Sequence, residues 1–231
     1  MADTDHEHEE IRHQFEDALD SIRQGLVGLG SLVVANTRRA GEVLLEDDVD
    51  LANEVFEADA EIDETYADLE KQTFLTLARQ QPVAGDLRFL VSATRILYEL
   101  ERSGDLAVNC VKAHRRMDGF PDSPRIRSIF ERLVRDSTML FGKGVDAIAD
   151  MDERAGYRLD QEDDIVDATV SEFYAAIGQE SRSIGLEAAI ELSRIGRYLE
   201  RIADHAVNIG ENVTYVMTAS FPQSQGSSEE E

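Results

Sequence analysis

Two segments carry the residues best suited to chemistry. Residues 95–109, RILYELERSGDLAVN, and residues 194–208, RIGRYLERIADHAVN, are identical at nine of fifteen positions at a constant offset of 99 residues. Within them Glu101 and Asp105 match Glu200 and Asp204, and Asn109 matches Asn208. Four-residue steps along an α-helix return to nearly the same face, about 6 Å further on. Each segment therefore presents one stripe of side-chain oxygens. Two carboxylates so spaced repel by a few tenths of a kcal/mol on an exposed helix. Burial raises that cost unless a cation lies between them. An oxygen-lined stripe suits a hard or borderline metal ion. Asp59 and Asp63 add a second pair to the first stripe, and Asp163 and Asp167 add one to the second. Their offset is 104, which a five-residue difference in the intervening connection explains. Each half should then face two acidic helices toward one another across a groove.

Spacing by itself is weak support. Scattering 48 acids over 231 positions gives about ten acidic pairs four apart by chance. Repetition inside a matched frame lifts these pairs above that background. The competing reading is a pair of solvated helix faces with Arg102 and Arg201 as salt-bridge partners. Other motifs are weaker still. The run His6-Glu7-His8-Glu9-Glu10 reads as an acidic tail with nothing to fix a metal geometry. His205 lies about 100° around the helix from Asp204 and reads as a polar residue at the bundle edge. The di-iron pattern needs a Glu-x-x-His pair on each of two helices and is not met, since Glu10-x-x-His13 is the one such pair in the sequence. Gly25, Gly28 and Gly30 sit in a helical pattern with no preceding strand and no Gly-Lys-Ser/Thr, so they read as close-packing positions rather than a nucleotide loop. Asp86 suits the first turn of a helix. No catalytic Ser/His/Asp or Cys/His arrangement can be argued, and the chain is not expected to be an enzyme.

The elements that must position these residues are helices throughout. From Ile11 onward apolar residues recur at three- and four-residue steps, through Phe15, Leu19, Ile22, Leu26, Leu29 and Val33. Strand-type alternation is absent, and the four prolines all read as punctuation. Six helices are expected near 8–45, 50–80, 84–117, 124–150, 156–183 and 185–218. The repeat falls on the third helix of each half, so the fold class is all-α: two tandem antiparallel three-helix bundles related by internal duplication. The bundles should span 8–118 and 122–219, with a disordered acidic tail over 220–231.

Composition narrows the function. Acids number 48 against 23 cations, a net charge of −25. Nucleic-acid contact needs clustered positive charge and is disfavoured, as is an anionic membrane surface. Only Lys71, Lys112 and Lys143 are lysines. Strong acidity with scarce lysine suits a high-salt cytoplasm, such as that of a halophilic archaeon, where screening relieves self-repulsion. No apolar run approaches the roughly 20 residues of a membrane helix, and the N-terminus has no signal-peptide pattern. A soluble, cytoplasmic protein is expected. The single cysteine, Cys110, excludes a disulfide within the chain and reads as a buried apolar side chain.

The stretch LERSGDLAVN, its echo LERIADHAVN and the segment QQPVAGDLRFLVSATRILYELER resemble the PhoU family of phosphate-uptake regulators. FEDALDSIRQGLVGLGSLV is similar to that family's long first helix, and the resemblance spans roughly residues 10–218. Ser103 stands where the first signature usually has isoleucine, and Ala203 where the second usually has glycine. The connection GQESRSIGLEA lacks the Pro-x-x-x-Asp-Leu-Arg element of Pro82 to Arg88, as the family's second half usually does. The resemblance implies multinuclear metal binding by the acidic motifs, with iron, zinc, magnesium or manganese as the metal. It also implies a homodimer that represses phosphate acquisition. The expected partner is the ATPase subunit of the phosphate ABC transporter, which would recruit the chain to the membrane peripherally, without insertion. Two alternatives remain open: the same fold regulating another ion transporter or transcription, and a carboxylate-bridged metalloenzyme acting on phosphoesters.

Overall fold

The computed structural model describes residues 2–117 and 119–222, without the side chains of residues 2–9 and 11. The described residues form six helices: α1 (Ala2–Glu46), α2 (Val49–Gln80), α3 (Ala84–His114), α4 (Pro124–Asp150), α5 (Ala155–Ile184) and α6 (Leu186–Thr218). These agree with the expected six to within a few residues at most ends. The largest internal difference is the end of α3, which stops at His114, where the chain turns toward Gly119 (φ 79°).

Local chemistry explains several boundaries. The Asp48 carboxylate accepts the backbone N–H groups of Asp50 and Leu51 at 2.9 and 3.0 Å, capping α2. Ser123 Oγ accepts the N–H of Ile126 at 3.1 Å, and Pro124 follows at the first helical position of α4. α5 and α6 are separated by one residue, Gly185, at φ 85°. A side chain there would be strained, so the tight α5–α6 corner requires glycine.

The helices pack as two three-helix units, α1–α2–α3 and α4–α5–α6, joined through α1 against α4 and α3 against α6. α2 covers only α1 and α3, and α5 covers only α4 and α6. The apolar core runs without a break from Ile22 in α1 to Val213 in α6. The two units therefore share one core. The duplication is visible in its closest packing. Gly30 faces Val145 and Gly41 faces Val134, and a Cβ on either glycine would stand 2.6 or 2.4 Å from its valine. Val134 and Val145 lie 104 residues after Gly30 and Gly41, the offset of the acidic pairs, so the two contacts are one contact repeated about a pseudo-two-fold axis.

α1 corrects one expectation. The stretch Arg12–Glu46 holds a segment long and apolar enough to cross a membrane by length and composition. Its apolarity has a packing cause: α2, α3 and α4 all press on α1, so it needs apolar residues on several sides. The N-terminal side chains His6 to Glu9 and residues 223–231 of the expected tail lie outside the described residues. Cys110 is buried on α3, and burial pushes its thiol pKa up to about 12.

Candidate metal centres

The eight acids fall into two groups, one across α2 and α3 and one across α5 and α6. In the first, Asp59 and Glu101 are half-buried while Asp63 and Asp105 are exposed. The Asp59 carboxyl is pushed above the usual carboxylate range, first by burial and then by Asp63 and Asp105. Glu101 is raised by burial, then by Asp105, Asp63 and Asp59. Acids on both helices thus feel one another, which is the arrangement expected from the repeat. A small residue permits it: Asp59 Oδ1 lies 3.7 Å from where a Cβ on Gly104 would sit, and Ile62 Cγ2 lies 3.2 Å from the same point.

The second group is more strained electrostatically. Burial raises Asp163 most, to about 7, with Asp167, Asp204, Asp160 and Asp164 adding repulsion. Asp163 Oδ1 is buried without a hydrogen-bond partner. Asp167 and Asp204 are also raised, each first by burial and both by Glu200, with Arg197 opposing the shift. Arg197 reaches Glu200 at 2.7 Å. Its counterpart in the first group, 99 residues earlier, is Tyr98. Among the described residues no three of His, Cys, Asp and Glu are already drawn in around one point as a finished metal site. The donors fit a hard cation in type and charge, with the orphaned Asp163 oxygen as the best-placed single ligand. A bound ion would require the exposed carboxylates to swing inward.

Several expectations change. Asn208 also serves the contact between the halves, its Nδ2 donating to Glu99 Oε1 at 3.3 Å across the α3–α6 interface. The salt bridges that the competing reading of solvated faces gave to Arg102 and Arg201 are absent from the described ion pairs. Arg102 instead donates to the Tyr98 hydroxyl at 2.8 Å, with its guanidinium 5.3 Å from the ring centre. Gly25 and Gly30 are close-packing positions, against Leu69 and Val145, but Gly28 faces open space.

His205 is not at the bundle edge. It is buried between α3 and α6, with Nδ1 at 2.8 Å from Ser103 Oγ and Nε2 at 3.5 Å from Glu99 Oε2. The fold thus assembles the Ser–His–carboxylate chain that sequence order gave no reason to expect. It is unsuited to catalysis. Ser103 is 0% exposed and His205 5%, and the Ser103 proton is directed to the Glu99 carbonyl oxygen at 2.7 Å. Nδ1 then carries the ring proton and Nε2 faces the Glu99 carboxyl. Burial, with Arg201 and Arg102 nearby, pushes His205 down to about 4, and burial pushes Glu99 up. Glu99 could not be found by repetition, because its counterpart is Tyr198.

Comparison with known proteins follows the same architecture. The family model for the PhoU domain matches twice, over residues 26–113 and 130–213. A phosphate-specific transport system accessory protein PhoU homolog 1 from Mycobacterium leprae is 28% identical over 214 residues, covering 92% of this chain and 96% of that protein. The homologue from Pseudomonas putida is 30% identical over 227 residues, covering 94% and 85%. The crystal structure of PhoU from Pseudomonas aeruginosa superposes with a TM-score of 0.81 at 26% identity, covering 89% of this chain and 100% of that one. PhoU from Streptococcus pneumoniae, at 22% identity, shares the fold with a TM-score of 0.82 over 90% and 99%. With its model matched in both halves, the chain belongs to the PhoU domain family.

Proposed function

We propose that this chain is a cytoplasmic, metal-binding accessory regulator of phosphate uptake, which lowers uptake when phosphate is plentiful. The observation that carries the metal reading is the electrostatic frustration of two matched carboxylate groups. Burial and neighbouring acids raise Asp59 and Glu101 in one half and Asp163, Asp167 and Asp204 in the other, and among the described residues the one basic side chain bonded to any of the eight acids is Arg197. A cation shared by Asp59, Asp63, Glu101 and Asp105, or by Asp163, Asp167, Glu200 and Asp204, would relieve that repulsion. It would also pin α2 to α3 and α5 to α6. Metal binding here is a rigidifying device rather than a catalytic one, since among the described residues no general acid or base stands beside the ligands and the Ser103–His205 pair is sealed in the core.

The regulatory reading is supported by full-length similarity to accessory proteins of phosphate-specific transport systems. The client would be the transporter's ATPase subunit, and the working unit a homodimer. Two measurements test the reading. Elemental analysis by mass spectrometry, on untagged protein purified at high salt without chelator, should find two or more equivalents of one metal retained through gel filtration. Association with the purified ATPase subunit should depend on phosphate status. Metal at background levels would remove the centres, and phosphate-independent or absent association would remove the transporter role.

A further inference from the structure

The acidic groups flank a surface of opposite character. α1 lies behind α3 and α4 behind α6, and the α3–α6 face pointing away from them carries no other helix. Phe221, after α6, lies against it, with its ring centre 5.6 Å from the Arg95 guanidinium. Along α3 its outward residues are Leu87, Val91, Arg95, Tyr98 and Arg102. Along α6 they are Leu186, Ile190, Arg194, Arg197 and Arg201. Each of the second five follows its counterpart by 99 residues, the offset of the internal repeat. The apolar members are open to solvent: Leu87 is 42% exposed and Leu186 76%. Five of these ten residues are arginines, in a chain where acids outnumber cations 48 to 23.

The two stripes form one continuous surface because α3 and α6 run antiparallel. Ser103 meets His205 at the centre, Arg88 reaches the Val216 carbonyl at 3.4 Å near one end, and Arg116 reaches Glu191 at 2.8 Å near the other. A rise of 1.5 Å per residue then separates Leu87 from Leu186 by roughly 50 Å. The face reads apolar, cationic, apolar, and maps onto itself about the pseudo-two-fold axis.

We propose that this face docks a two-fold-symmetric protein partner, a homodimer with a carboxylate-rich centre and one apolar pocket on each subunit. Arg194 and Arg197 pair with Glu191 and Glu200 at 2.6 and 2.7 Å. Arg95, Arg102 and Arg201 have no acidic partner among the described ion pairs, and charge complementarity selects an acidic centre for these three. The repetition selects the symmetry, since a partner without a two-fold axis would meet only one of two equivalent ends. A second copy of this chain would set arginine against arginine. A flat anionic membrane would meet the exposed acids Asp63, Asp105 and Asp167 beside the arginines. The inference rests on the regulatory reading, because an adaptor needs a surface for its client, but it does not require that client to be the transporter.

The test places a photo-crosslinking phenylalanine analogue at position 98, 190 or, as a control on α4, 139 in the full chain expressed in its own cells. Adducts are identified by mass spectrometry. Positions 98 and 190 should capture the same acidic homodimeric protein, and position 139 should not. Arg102→Glu with Arg201→Glu should lower both adducts by about tenfold or more. Leu87→Ser with Leu186→Ser should lower them independently, with circular-dichroism melting to confirm folding. Different proteins at the two positions, a monomeric protein, adducts at 139 alone or no adduct would overturn the proposal. So would co-sedimentation with phosphatidylglycerol vesicles that the charge-reversal variant abolishes. A shared homodimer other than the transporter ATPase keeps the docking face and removes the transporter reading. The ATPase captured only from position 139 does the reverse.

Discussion

Ser103 Oγ lies 2.8 Å from His205 Nδ1 across the α3–α6 interface, at positions that the repeat fills with apolar residues on the other side of its axis. The counterparts are Ile202 and Leu106, both buried. The helix crossing is thus polar at one of two equivalent places and apolar at the other. Sliding α3 along α6 by a turn would leave Ser103, His205 and Glu99 without these partners in a dry interface. That penalty specifies one register for the two halves.

Making the polar side resemble the apolar one tests this. His205→Leu alone should cost about 1–3 kcal/mol, because Glu99 loses its ring partner inside the interface. Ser103→Ile added to it should recover part of that loss. The pH dependence carries the sharper signal. His205 titrates near 4 in the folded chain against 6.5 for the free side chain. A depressed histidine contributes stability above about 6.5, and that stability is lost as pH falls from 6.5 toward 4. The loss at pH 5 relative to pH 8 is about 2 kcal/mol by linkage. Denaturant unfolding at both values should therefore show the double variant gaining on the native chain by that amount at pH 5. Parallel pH profiles would remove His205 as the source.

Burial of Asp163 has the opposite sign. Its folded pKa, about 7, is raised from 3.8. The protonated form is therefore favoured in the fold, and the stability it provides is lost as pH rises from 3.8 through 7. In chelated protein, Asp163→Asn should stabilise at pH 8 by about 1–2 kcal/mol after allowing for solvent screening, and have little effect at pH 4. With a divalent cation added at pH 8, the native chain should gain more melting temperature than the variant, which keeps only the group of Asp59, Asp63, Glu101 and Asp105 intact. A variant that is neutral in both conditions would show that Asp163 is solvated rather than frustrated.

The fold was legible because every element has a strong helical period and punctuation where it ends. Asp48, Ser123 with Pro124, and Gly185 mark starts and corners that local chemistry alone sets. The acidic groups were legible because duplication repeats them at fixed offsets. What stayed hidden depended on contacts between the halves. His205, Ser103 and Glu99 meet only because α3 crosses α6 in one register, and none has a counterpart of its own type in the repeat to draw attention. Arg197 was hidden for a related reason. It competes with Arg201 for Glu200 on the same helix, and only side-chain direction decides that Arg197 reaches it.

The glycines of α1 separate helix propensity from packing. Alanine at a solvent-facing helical glycine gains about 0.5–1 kcal/mol, because the unfolded chain loses freedom. Gly28 has nothing within 4 Å of an added Cβ, so Gly28→Ala should show that gain. Gly30 has Val145 Cγ2 at 2.6 Å and Cγ1 at 3.0 Å, so a short branched side chain would have to move together with α4. Overpacking costs about 1–3 kcal/mol and outweighs the propensity gain. Gly30→Ala should destabilise, and Val145→Ala in the same chain should recover part of the loss. The same pattern should hold for Gly41 and Val134. Thermal melts of Gly28→Ala and Gly30→Ala that move the same way would contradict the α1–α4 contact.

The two proposed metal centres should differ in affinity, because the second carries its own cation. Arg197 pairs with Glu200 and opposes the raised pKa values of Asp167 and Asp204, whereas Tyr98 holds the equivalent place in the first. A metal ion entering the second group must displace that guanidinium or share Glu200 with it. An exposed pair of this kind is worth up to about 1 kcal/mol, so the second centre should bind several-fold more weakly. Calorimetric titration of chelated protein should show two classes of site. Glu101→Gln with Asp105→Asn should remove the tighter class and leave the weaker one. Arg197→Tyr, which rebuilds the first centre's arrangement, should strengthen the weaker class toward the tighter one. Loss of both classes in the Glu101 and Asp105 variant would mean that the centres act as one site. Unchanged stoichiometry would mean that those carboxylates bind no metal, and the raised pKa values would then mark only protons shared on an acidic surface.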